Sequence, residues 1–196
     1  MSNMRIFVVL SLFVVVRSGS VEDLYGRWVP VAFYPITTYI PACFQVSFAK
    51  VSEDVQCTCA DGKNTTALEF TGPLQGTEVQ LLPVHIGDSG DVAAALNVSC
   101  RCGSLEYRSR KVAKLVSTDY FVLYEIQQNA TYTDMDTNSA QIFARNIPSF
   151  AELRSVMKNI EDLISRSPGI LCTKEYHDAE LQYKAQHKPR TLDQSS

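Results

Sequence analysis

Residues 26–51 read GRWVPVAFYPITTYIPACFQVSFAKV. The second half sets the pattern. Between Cys43 and Val51, Phe44, Val46 and Phe48 fall on one side, with Gln45 and Ser47 between them. A period of two marks a half-buried strand. Residues 28–34 form another β-type run, and Pro35 follows it. Beyond this stretch the same rhythm continues at 55–59, 66–71, 79–86, 92–102, 111–117, 120–127 and 140–145. Turn residues punctuate it: Ser52-Glu53-Asp54, Asp61-Gly62-Lys63-Asn64, Gly72-Pro73, Gly76 and Gly87-Asp88-Ser89-Gly90.

One segment departs from the β rhythm. Residues 149–166 place Phe150, Leu153, Val156, Met157, Ile160, Leu163 and Ile164 at helical spacing. Ser149 and Glu152 make a capping box, and Pro168-Gly169 stop the run. The apolar side is one-faced, so the helix lies against another element. The fold class read from this order is all-β with one C-terminal helix. Many sequential strands need their edges closed, which an up-and-down barrel does with short loops. A sandwich is the rival arrangement.

The chain ends set the compartment. Arg5 opens a short positive region, and residues 6–16 are apolar except for Ser11. Ser18, Gly19 and Ser20 supply small residues for cleavage, so residues 1–20 read as a signal peptide. The apolar run is too short for a membrane span, which needs roughly 20 residues. No later run is apolar enough for one. Residues 21–183 then read as one domain and 184–196 as a flexible polar tail. Losing Arg5 and Arg17 takes the net charge from −3 to −5. That balance attracts neither nucleic acid nor an anionic membrane.

Six cysteines fit an oxidising, extracellular setting. Sequons at Asn64, Asn97 and Asn129 point to a surface-glycosylated protein. Cys57-x-Cys59 and Cys100-x-Cys102 each put two cysteines on one strand face. On neighbouring strands they would pair as Cys57–Cys102 with Cys59–Cys100, or crossed. A four-thiolate zinc site is the other arrangement, but structural zinc prefers two to four residues between paired cysteines, so no metal is expected. His85 is expected to be a half-exposed residue near a strand end, and no G-x-S-x-G nucleophile motif is present.

Gly26-Arg27-Trp28 precedes the first strand, Thr118-Asp119-Tyr120 lies between two late strands, and Ala144-Arg145 ends the last strand before the helix. This ordered trio resembles the three signature regions of lipocalins. Residues 26–51, with Pro35 and Cys43, look most like the apolipoprotein D and insect bilin-binding branch. The resemblance implies an eight-stranded up-and-down antiparallel barrel able to hold one small ligand. It implies that Trp28 plugs the closed end, with Arg145 across it and Gly26 and Asp119 beside it. A cation–π contact is the physical reason for that pairing. It also implies a Cys43–Cys172 disulfide tethering the chain after the helix. The sequence departs from the branch in having no cysteine before Cys43 and none in 120–127, and one β run too many between Cys59 and Lys111.

With Tyr120 and Tyr124 matched to the family's outward tyrosines, Phe121, Leu123 and Glu125 face inward. Parity with Arg145 adds Gln141 and Phe143, and parity with Trp28 adds Ala32 and Tyr34. Phe44, Val46 and Phe48 complete the expected lining. The implied function is a non-enzymatic carrier that needs no cofactor. Its ligand would be a small apolar molecule: a biliverdin-like tetrapyrrole, a retinoid, a fatty acid or another lipid, or a pheromone. Two alternatives are an interaction protein whose loops engage a cell-surface receptor or protease, and a prostaglandin-synthase-like enzyme using a free thiol.

Overall fold

A computed structural model describes residues 19–36, 43–52, 55–63, 65–73, 79–87, 97–126 and 138–186. A 3-10 turn at Val21–Leu24 comes first. The strands follow as β1 (Gly26–Tyr34), β2 (Val46–Lys50), β3 (Gln56–Cys59), β4 (Thr65–Thr71), β5 (Gln80–Ile86), β6 (Cys100–Cys102), β7 (Leu105–Tyr107), β8 (Lys111–Leu115), β9 (Tyr120–Ile126) and β10 (Asn138–Ala144). Helix α1 (Phe150–Lys158), a 3-10 turn at Glu161–Leu163, strand β11 (Gly169–Ile170) and helix α2 (Lys174–Gln186) complete the order.

Pairing runs β1–β10–β9–β8–β5–β4–β2 and returns to β1, which closes a barrel. The lipocalin resemblance implies eight antiparallel strands. Among the described residues, seven strands close the ring, and β5 pairs with β8 in parallel. The two facts are linked, because strands can alternate direction all the way round a ring only if their number is even.

β3, β6 and β7 stand off the ring as an extension. Thr66 pairs with Val84 on one edge of β4 and with Gln56 on the other, so β3 continues the line of β2. The free edge of β3 then takes β6, and β6 takes β7. Expected strand 92–102 therefore contributes only Cys100–Cys102, with residues 92–96 outside the described set.

Three disulfides are formed: Cys43–Cys172, Cys57–Cys102 and Cys59–Cys100. The latter two join facing positions of β3 and β6, so the uncrossed pairing is the one present. The fully buried Arg110 fastens the extension: its guanidinium donates to both Asp61 oxygens, at 3.0 and 2.7 Å, and to Thr65 Oγ1 at 3.1 Å.

The helical segment is shorter and more broken than its periodicity suggests. Ser149 caps α1, its Oγ accepting from the Glu152 N–H at 3.2 Å. α1 ends at Lys158, and the 3-10 turn carries Leu163 down onto the barrel. Leu153, Ile160 and Leu163 pack on the outward face of β1, β9 and β10 through Val29, Val122 and Ile142. A second helix, α2, corrects the expectation of one helix; it runs to Gln186, and residues 187–196 of the expected tail lie outside the described set. Among the described residues, no helix is long and apolar enough to cross a membrane.

Candidate functional site

The barrel wall has two faces because strand side chains alternate. On β9, Phe121, Leu123 and Glu125 turn inward while Tyr120, Val122 and Tyr124 turn toward α1. The outward tyrosines fasten the helical segment. Tyr120 Oη–H donates to Glu152 at 2.7 Å, and Tyr124 Oη–H donates to Asp162 at 3.1 Å. Burial first, then these carboxylates, push both phenols well above the ordinary tyrosine range.

The base is closed by Trp28, which is wholly buried. Its Nε1–H donates to the Leu24 carbonyl at 2.7 Å. The Arg145 guanidinium lies 3.6 Å from the indole centroid. It also donates to the Tyr25 and Asp23 carbonyls at 2.8 and 2.9 Å. Asp119 accepts the Arg145 backbone N–H through its carbonyl at 3.0 Å. Gly26 has φ of +103°, and a Cβ there would sit 3.0 Å from Arg145 Nη1. A side chain would therefore meet both an unfavourable backbone and a crowded guanidinium.

Above the base the interior is filled with rings. Phe121 meets the Trp28 edge at 4.6 Å between centroids and stacks on Phe143 at 4.8 Å. Phe48 stands 5.7 Å from each of Phe121 and Phe143. Such pairs contribute about 0.5–1.5 kcal/mol each beyond burial.

A cavity of about 180 Å³ remains above this layer. Phe44, Val46, Leu123 and Phe143 line it, as do Glu125 and Gln141. Phe48 and Phe121 lie in the ring layer rather than on the cavity wall. Ala32 and Tyr34, expected to line the cavity, do not. The register with β10 slips at Val31, so Ala32 faces Ile142 and Tyr34 faces Ala140 on the helix side. The bulge hands the inward position to Phe33, opposite Gln141.

Further lining residues come from strands whose register the sequence left open: Phe70, Gln80, Leu82 and Lys111, with Pro30 from β1. Period-two parity would have found them once β4, β5 and β8 were placed. Lys111 Nζ lies 2.5 Å from Glu125 Oε2, and both side chains are about a quarter exposed, at 27 % and 28 %. Among the described residues, the cavity is thus a mostly apolar chamber with one ion pair and two amides on its wall.

Two larger hollows lie outside the barrel. One, about 470 Å³, adjoins Glu22, Asp23 and Arg145 below the base. The other, about 620 Å³, runs along the extension beside Arg101 and Glu106. Both are shallower; Arg145 is held by carbonyls, and Arg101 by Glu106 at 2.6 Å. His85 alternates with the inward Val84 and Ile86, so it points away from the cavity. Asn97 is exposed in a turn, whereas Asn64 and Asn129 lie outside the described residues. No group of His, Cys, Asp and Glu suited to a metal occurs among the described residues.

Comparison with family models and with characterised proteins returns no match for this chain.

Proposed function

We propose that this chain is a secreted, glycosylated carrier of the lipocalin kind, holding a small apolar-bodied molecule inside its barrel. The observation that carries this reading is the 180 Å³ cavity above the ring layer, apolar on most of its wall with a few polar groups. The Trp28–Arg145 base and the Cys43–Cys172 tether support the lipocalin likeness. The β6–β7 excursion and the parallel β5–β8 pair would then stand where the eighth strand of that pattern runs. The three disulfides and the leader-like residues 1–20 support an extracellular setting.

Size narrows the cargo. Drug-sized ligands occupy roughly 300–1,000 Å³, and a dry cavity of about 150 Å³ accommodates benzene. The ligands favoured here have a single ring or a short branched tail. That places a tetrapyrrole or a full-length retinoid at the unfavourable end of the range. All six cysteines are in disulfides, which removes the free thiol that a prostaglandin-synthase-like reaction needs.

Titration calorimetry with ethylbenzene tests the reading. Binding should be measurable in the natural sequence and lost in Leu123→Trp, which fills the cavity from its wall. Equal binding by both proteins, or binding by neither, would sink the carrier assignment.

A further inference from the structure

Among the described residues, one ion pair stands on the cavity wall, and it bears on the head group of a ligand. Among the described lining residues, Lys111 and Glu125 are the only charged ones, and they face each other at 2.5 Å. A ligand bearing a single charge gains little there. A cation near Glu125 is also near Lys111, and an anion near Lys111 is also near Glu125. With both wall charges at similar range, the Coulomb terms nearly cancel. Displacing one partner instead would leave the other ion unpaired in a half-closed chamber, which is costly.

A head carrying both charges escapes this cancellation. An ammonium has three donors and a carboxylate about four acceptor sites, so the Lys111–Glu125 contact leaves most of both unused. A ligand carboxylate can accept from Lys111 while the ligand ammonium donates to Glu125. The four charges then alternate around a closed cycle, and no wall charge loses its partner. Gln80 and Gln141 line the same cavity, and their amides offer further donors and acceptors to such a head. Below it, the volume and the Phe143 and Leu123 wall suit one ring or a short branched side chain.

We infer that the barrel takes a small zwitterion with an apolar side group, the chemistry of a free aromatic or branched-chain amino acid. This inference rests on the cavity being a ligand site, as proposed above.

Calorimetry on the intact protein at neutral pH tests it with four probes sharing a phenyl ring: phenylalanine, phenethylamine, 3-phenylpropionate and ethylbenzene. Phenylalanine should bind at least about tenfold tighter than either singly charged analogue. Lys111→Gln leaves Glu125 alone, so phenethylamine should become the tightest charged probe. Glu125→Gln leaves Lys111 alone, so 3-phenylpropionate should take that place. Ethylbenzene binding should persist in both variants, which shows that the cavity is intact. If ethylbenzene binds but phenylalanine has no advantage, or if the two variants do not invert the order, the head-group inference fails and the carrier reading stands. If no probe binds, both fail.

Discussion

Trp28, wholly buried, joins the closed base of the barrel to the ring layer above it. It fills the base of the barrel, donates to Leu24, receives the Arg145 cation and meets the edge of Phe121. Trp28→Ala should cost about 3–5 kcal/mol in urea unfolding, the range of large core truncations. Near-wild-type stability would show that the base packing is incidental. The outward phenols give a pH test at the same scale. Tyr120 and Tyr124 have raised pKa values in the folded chain, from burial first and then from Glu152 and Asp162. A raised value means the folded state keeps a proton that the unfolded state releases. Their stabilisation is therefore complete below the ordinary tyrosine pKa of about 10 and fades as pH rises above it. The Tyr120→Phe, Tyr124→Phe double variant should show a flatter decline of stability between pH 9 and 12, measured by urea midpoints. An unchanged slope would mean that the phenols titrate normally. The base was legible in the sequence because Gly26-Arg27-Trp28, Asp119-Tyr120 and Arg145 occur in the order of the lipocalin signature regions, and that resemblance implied the Trp28–Arg145 pairing. The Lys111–Glu125 pair was not, because it joins strands whose register no local signal fixed.

The elements differ in how clearly their sequences announce them. The β2 run alternates, so its inward residues could be named from its own pattern, whereas those of β9 were named by matching Tyr120 and Tyr124 to the outward tyrosines of lipocalins. β1 does not alternate: all seven residues from Trp28 to Tyr34 are buried, some against the cavity and others against the helical segment. A strand apolar on both faces gives no phase, so the slip at Val31 that moves Ala32 and Tyr34 outward left no trace in the pattern. α2 escaped notice for the opposite reason, since its sequence KEYHDAELQYKAQ is polar almost all round and lacks an apolar stripe. The paired disulfides of β3 and β6 could be foreseen as a facing set but not in their order. Their nested geometry makes a specific prediction. Cys57–Cys102 and Cys59–Cys100 close nearly the same loop, at separations of 45 and 41. Replacing either pair with alanines leaves the other to hold that loop, so each should cost only about 2 kcal/mol in the chain-entropy model. Replacing both should cost about 6 kcal/mol, more than twice either alone. Additive losses in guanidinium unfolding would show that the two bridges act independently.

Among the described residues the ring has one parallel seam, and it follows from the strand count. A seven-membered ring must contain a parallel neighbour pair, and here it is β5 with β8. That pair has three register positions, Val84–Ile86 against Lys111–Ala113, as few as the antiparallel β1–β2 pair, whereas β9 and β10 share seven. Parallel ladders are also slightly less stable per residue than antiparallel ones. What compensates is Arg110, the residue just before β8. Its bidentate contact to Asp61 ties the start of β8 to the β3–β4 turn, and so to the doubly bridged extension. The extension thus acts as a splint for the seam, and Lys111, the first residue of β8, brings one half of the cavity ion pair with it. Arg110→Ala should remove about 2–3 kcal/mol of stability, below the ~3–5 kcal/mol of a fully buried pair because Asp61 reaches solvent. The loss should be local before it is global. Amide hydrogen exchange should quicken first at Val84–Ile86 and Lys111–Ala113, while β9, β10 and the residues under α1 keep their protection. Uniform loss of protection across all strands would mean that the barrel opens as one unit and that the seam has no separate stability.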